Sequence, residues 1–123
     1  MNRLDKLRNL NSSDLELFSL KNKKMIGKVV EIYNLNTCLI ILAFDNFIFK
    51  FKCRLNAIKQ DDDWYKLYIL VSDNIQDNKS ISSKLLYDNN KLLTIYCHDF
   101  TKEGYLLVDL YNLHSNVSIN KQL

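Results

Sequence analysis

The sequence predicts a mainly β chain, five strands closed into a barrel with one or two short helices, on three observations. Apolar and polar residues alternate at period two through much of residues 27–55 and again through 91–111. Turn-forming residues cut those stretches into short runs at Asn34–Asn36, Asp45–Asn46, Asn89–Asn90 and Thr101–Gly104. Helical spacing between the strands occurs only after the third run, where Trp64, Leu67, Tyr68 and Val71 share one face.

Taken in order, residues 1–24 form an N-terminal leader, with Leu4, Leu7 and Leu10 at helical spacing and a basic cluster at Lys21, Lys23 and Lys24. The first strand covers Gly27–Tyr33, rich in Val and Ile, and Asn34-Leu35-Asn36 turns it into a second strand, Thr37–Phe44. Asp45-Asn46 is the next turn, and Phe47–Leu55 the third strand, alternating apolar with basic residues over its middle. The polar stretch Lys59–Asp63 leads to a helix over Trp64–Val71 with Asp63 as its N-cap. A polar segment, Ser72–Ser80, and a second short helical stretch, Ile81–Tyr87, follow. Lys91–Cys97 and Tyr105–Tyr111 are the fourth and fifth strands, joined by the hairpin Thr101–Gly104. Ser118-Ile119-Asn120 has the character of a helix cap, close to the last residue, Leu123. Three strands, a helix and two strands is the order of a five-stranded OB-type Greek-key barrel.

Length and composition bound the rest. At 123 residues the chain is one domain, and its 47% hydrophobic and 25% charged residues are those of a globular protein. The net charge of +3 is too small to identify a polyanionic partner by itself. No apolar run reaches the ~18–20 residues that cross a bilayer, and the first residues lack a signal-peptide core. Three cysteines cannot all pair within the chain, so an intracellular protein, not a secreted or membrane-bound one, is expected.

Three segments resemble the staphylococcal-nuclease (thermonuclease-like) family, in the style of copies carried by large DNA viruses. Gly27–Tyr33 followed by Asn34-Leu35-Asn36-Thr37 is similar to the family's first strand and its Asp-Gly-Asp-Thr motif. Phe51–Ile58 is similar to the strand that bears a catalytic Arg and leads into Asp-Thr-Pro-Glu. Cys97–Val108 is similar to the Asp-Lys-Tyr-Gly-Arg hairpin, which carries the second catalytic Arg. The resemblance spans residues 25–112 as the OB-fold domain, leaves 113–123 as a tail and implies that the family's C-terminal helix is truncated.

By that resemblance the positions that hold calcium and cut the phosphodiester are mostly altered. The metal-ligand positions are Asn36 and Lys59, the base position is Asp62, the first arginine survives as Arg54 and the second is Tyr105. A hard cation takes carboxylate oxygens, and each unit of charge lost or inverted at ~4 Å costs about 4 kcal/mol at an effective dielectric of ~20. Loss of Ca²⁺ is therefore expected, with no cofactor and no catalysis.

Other residues invite sharper readings. Arg54 and Lys59 together suit an anion, and Lys50, Lys52 and Arg54 form a basic stripe at period two. Tyr33, Tyr105 and Tyr111 are candidate stacking platforms. Asp61 and Asp62 are the weak metal candidates, in a run that otherwise reads as a solvated loop. Cys38, Cys53, Cys97 and His98 lack the spacing of a zinc site, and buried thiols are expected. The expected function is a non-catalytic binding module, for nucleic acid through the Arg54 side or for a protein partner or second copy through the surface left by the missing helix. A residual metal-dependent nuclease using Asp61, Asp62 and Arg54, and a structural homo-oligomer, are the alternatives.

Overall fold

The computed structural model describes residues 20–44, 47–73, 86 and 89–123. Five strands form a closed barrel: β1 (Lys23–Asn34), β2 (Thr37–Phe44), β3 (Phe47–Leu55), β4 (Leu93–Phe100) and β5 (Leu106–Asn112), with α1 (Trp64–Val71) between β3 and β4. The order around the barrel is β1-β2-β3-β5-β4, closing on β1. All neighbours are antiparallel except β3 and β5, which pair in parallel over Cys53–Leu55 and Leu106–Val108. This is an OB-fold-like barrel, mainly β with one short helix. Among the described residues no helix is long and apolar enough to cross a membrane.

Period-two alternation makes the core. Ile32, Ile40, Leu42, Ile95, Leu106 and Leu110 point inward from the strands and are fully buried. α1 lays Leu67, Tyr68 and Val71 over one end of the barrel. β1 is long enough to serve two neighbours: Lys23–Gly27 pair with β4, and Ile26–Asn34 pair with β2. Gly27 stands where the two pairings overlap, and a Cβ there would lie 2.6 Å from the Ile41 carbonyl oxygen. The close approach of two backbones requires a glycine at this point.

β2, β3 and α1 have the predicted limits. β1 begins earlier than expected because Lys23 and Lys24 pair with Cys97 and Tyr96, drawing the basic cluster into the barrel. The predicted N-cap is corrected: Asp63 precedes α1, but its side chain makes no capping bond. Its backbone, at φ −78° and ψ 63°, lies outside the extended geometry that aims a cap. Apart from Leu86, the second helical stretch, Ile81–Tyr87, lies outside the described residues, as does residues 1–19 of the leader.

Buried asparagines fasten the connections. The Asn89 amide donates to the carbonyls of Val29 and Val71 and its oxygen accepts from Asp73 N and Lys91 N, joining β1, α1 and the approach to β4. The C-terminal residues fold back on β5, where Ile119 N donates to Leu110 O at 2.6 Å and Ile119 is fully buried. Asn120 opens a short 3-10 turn, Asn120–Gln122, and its amide group is shared among Asn56 O, Val108 O and Asp109 Oδ1 while its oxygen accepts from Leu110 N.

Candidate functional site

The outer face of β3 follows from its alternation. Cys53 and Leu55 point inward and are buried, so Lys50, Lys52 and Arg54 emerge on the opposite face. Two tyrosines are brought to that face by other elements. Tyr33 lies near the end of β1, before the two-residue turn Leu35–Asn36. Tyr105 is presented by the tight β4–β5 hairpin, in which Gly104 adopts φ 91° and its N–H donates to Thr101 O, a left-handed turn that favours glycine. Tyr105 N donates to Thr101 Oγ1, which fixes the exit of the turn.

These side chains form one cluster. The Arg54 guanidinium carbon lies 4.2 Å from the centre of the Tyr105 ring. Lys52 Nζ lies 5.1 Å from the Tyr33 ring centre and 6.0 Å from that of Tyr105. The Tyr33 hydroxyl donates to Glu31 Oε2 at 3.1 Å. A cation held over an aromatic face keeps hydrogen-bonding capacity for other partners, since a guanidinium carries five N–H donors. Arg54 makes no ion pair with a described carboxylate, and its Nε is buried without a hydrogen-bond partner. Lys50 and Lys59 are both exposed.

Asn36, next to Thr37, which pairs with Arg54, is turned to another purpose. It is 7% exposed, and its amide donates to Ile58 O at 3.0 Å while its oxygen accepts from Thr37 Oγ1 at 2.9 Å. Its backbone N–H is bound by Asn34 Oδ1, an Asx turn, and its carbonyl accepts from Leu55 N. Both ends of the amide tie the β1–β2 turn to the loop after β3, and Leu35 N donates to Asp61 O in the same seam. That donor set does not fit calcium: a neutral amide engaged at both ends, with the exposed cation Lys59 on the loop it holds. Asp61, Asp62 and Asp63 are exposed, and the Asp61 carboxylate accepts from Asp63 N. Among the described residues no three His, Cys, Asp or Glu side chains are grouped to hold a metal ion.

Burial pushes the Cys38 thiol up to about 12 and Cys97 to about 11. Cys53 is also raised, by burial first and then by the neighbouring Cys38 and Cys97. All three are thiols at neutral pH, whereas metal binding needs thiolates.

A second polar group was missed by sequence reasoning. His98 Nε2 lies 2.6 Å from Asp109 Oδ2, Asp109 Oδ1 accepts from Asn120, and the Tyr96 ring packs edge-on to His98. It borders a pocket of about 380 Å³ lined by Asn56, Ala57, Ile58, Asp109, Tyr111 and Asn120, among others. Its legible signal is alternation: across the β4–β5 hairpin, His98 and Asp109 share the outward face. Asn120 gave no signal, since its role depends on a fold-back that no local pattern announces.

No family model, curated protein or solved structure matches the chain.

Proposed function

We propose that this protein is a non-catalytic binding module for single-stranded nucleic acid, and that its barrel derives from the nuclease framework that its sequence resembles. The observation that carries the reading is the cluster Tyr33–Lys52–Tyr105–Arg54, with an arginine stacked on a tyrosine and unpaired by any described carboxylate. OB barrels bind oligonucleotides across the β2–β3 face between the β1–β2 and β4–β5 loops, and this cluster lies between those two loops. Aromatic faces take bases of any sequence, and adjacent cations take the phosphates. Lys50 extends the cationic stripe along β3, and Lys59 adds charge from the following loop.

Catalysis is not part of the reading. With Asn36 spent within the fold and a lysine at the other ligand position, Ca²⁺ would meet a neutral group and a like charge, a loss of several kcal/mol. An intracellular setting fits three cysteines kept as buried thiols.

The test is fluorescence anisotropy with a labelled single-stranded oligonucleotide at low and at moderate salt. Micromolar binding that weakens steeply with salt is expected. Tyr105→Ala and Arg54→Ala should each weaken it about 10-fold, within the ~1–3 kcal/mol of one stacked base. Absence of binding at low salt ends the proposal. Cleavage of the oligonucleotide on adding Ca²⁺, lost in Arg54→Ala, would establish a nuclease instead.

A further inference from the structure

β3 has an edge that the barrel does not use. Only Cys53–Leu55 pair with β5, while the opposite edge is paired with β2 from Phe47 to Arg54. Among the described residues no strand pairs with the β5-side edge from Phe47 to Lys50. The first three side chains there are apolar and open to solvent: Phe47 is 65% exposed, Ile48 76% and Phe49 40%. On one face the rings of Phe47, Phe49, Phe51 and Phe100 form a ladder, with successive centroids 6.1, 6.1 and 5.9 Å apart. A free strand edge flanked by exposed apolar side chains is a template for pairing with another chain.

We propose that a second copy of this chain docks on this edge, β3 against β3 and antiparallel, about a two-fold axis normal to the sheet at Ile48. The sequence supplies the argument for a second copy over an unrelated peptide: Phe47-Ile48-Phe49 reads the same in both directions. A two-fold interface needs a self-complementary patch, and this one has it. Centred on Ile48, each Phe47 faces the partner's Phe49, Ile48 faces its own copy and no lysine is set opposite a lysine. Centred on Lys50, two ammonium groups would oppose each other, which disfavours that register. The Ile48-centred register also uses the part of the edge farthest from the β4–β5 hairpin. An axis normal to the sheet keeps both outer faces on one side, so Lys50, Lys52 and Arg54 of the two copies would lie on one face as two basic stripes flanking the paired Ile48 side chains.

The exposed side chains on this edge offer an area of the order of 400 Å² per copy, about half that of a standard interface, so the dimer is weak and concentration-dependent. Sedimentation equilibrium of the full chain without nucleic acid tests it independently of the binding reading. The mass should rise from 14.5 kDa toward twice that value through the micromolar range. Ile48→Lys, with an unchanged circular dichroism spectrum, should raise the dimer dissociation constant at least 10-fold. Ile48→Cys should give a reducible dimer under mild oxidation, while Val117→Cys, at a position 57% exposed elsewhere, should not. A chain that stays monomeric near millimolar concentration overturns the proposal, as does a dimer unaffected by Ile48→Lys or equal cross-linking through Val117→Cys. Association seen only with an oligonucleotide present also overturns it.

Discussion

Asn36, Asn89 and Asn120 are 7%, 2% and 5% exposed, and each amide replaces backbone pairing where an irregular connection meets the barrel. In a chain so rich in asparagine the sequence marks Asn36 only through the family resemblance, Asn89 as a turn residue and Asn120 as a cap residue, because solvated and buried asparagines look alike in sequence. Asn120→Ala would leave Leu110 N and the Asn56 carbonyl without their partner, while Val108 O keeps its bond from Asn56 N, and a loss of about 1–3 kcal/mol in urea unfolding is expected. Asn36→Asp, which places a carboxylate there, turns an acceptor toward the Ile58 carbonyl; Tm should fall, and adding Ca²⁺ should not recover it. The thiols set a second dependence. Cys38 keeps its proton up to about pH 12 in the fold but releases it around the ordinary thiol value of 9.0 when unfolded. Its folded value is raised, so its contribution is complete below pH 9 and is lost as pH climbs toward 12, at about 1.4 kcal/mol per unit. Urea midpoints should therefore decline across that window, and Cys38→Ala should flatten the decline after correction for its own packing loss.

At the scale of elements, Gly27 gives the sharpest prediction. Gly27→Ala places a methyl group against the Ile41 carbonyl and the Leu42 side chain, and a cost of about 2–4 kcal/mol should appear in the unfolding midpoint. Leu67→Ala, under the barrel end that α1 covers, should cost about 2–5 kcal/mol. β2, β3 and α1 were legible to the residue because turn signals bound an apolar run in β2, a run that alternates from Phe49 onward in β3 and a period-3.6 face in α1. β1 was legible only in part. Its first residues, Lys23 and Lys24, look like a solvated cluster until β4 pairs with them, and its register shifts between Val29 and Glu31 and between Ile32 and Asn34. β4 and β5 were each displaced at their ends: β4 runs on to Phe100, which pairs with Leu106 across a register shift that carries the polar residues His98 and Asp99.

For the whole molecule, the order three strands, helix, two strands was enough to anticipate the five-stranded barrel, because few closures satisfy that order with short connections. The candidate site was legible as residue types but not as a group. Lys52 and Arg54 announce a shared face by alternation, whereas Tyr33 and Tyr105 join them only through the parallel β3–β5 pairing and the turn at Gly104. Lys59 was expected at the centre of the site, and the structure shows it exposed on the loop after β3. The central claim, that this cation–aromatic cluster holds single-stranded nucleic acid, is tested most directly by mapping backbone amide NMR shifts during titration with a short oligonucleotide. The account predicts salt-sensitive shifts confined to the neighbourhoods of Tyr33, Lys52, Arg54, Gly104 and Tyr105. Shifts gathered instead around Asp109 and Lys121, or none at low salt, would contradict it.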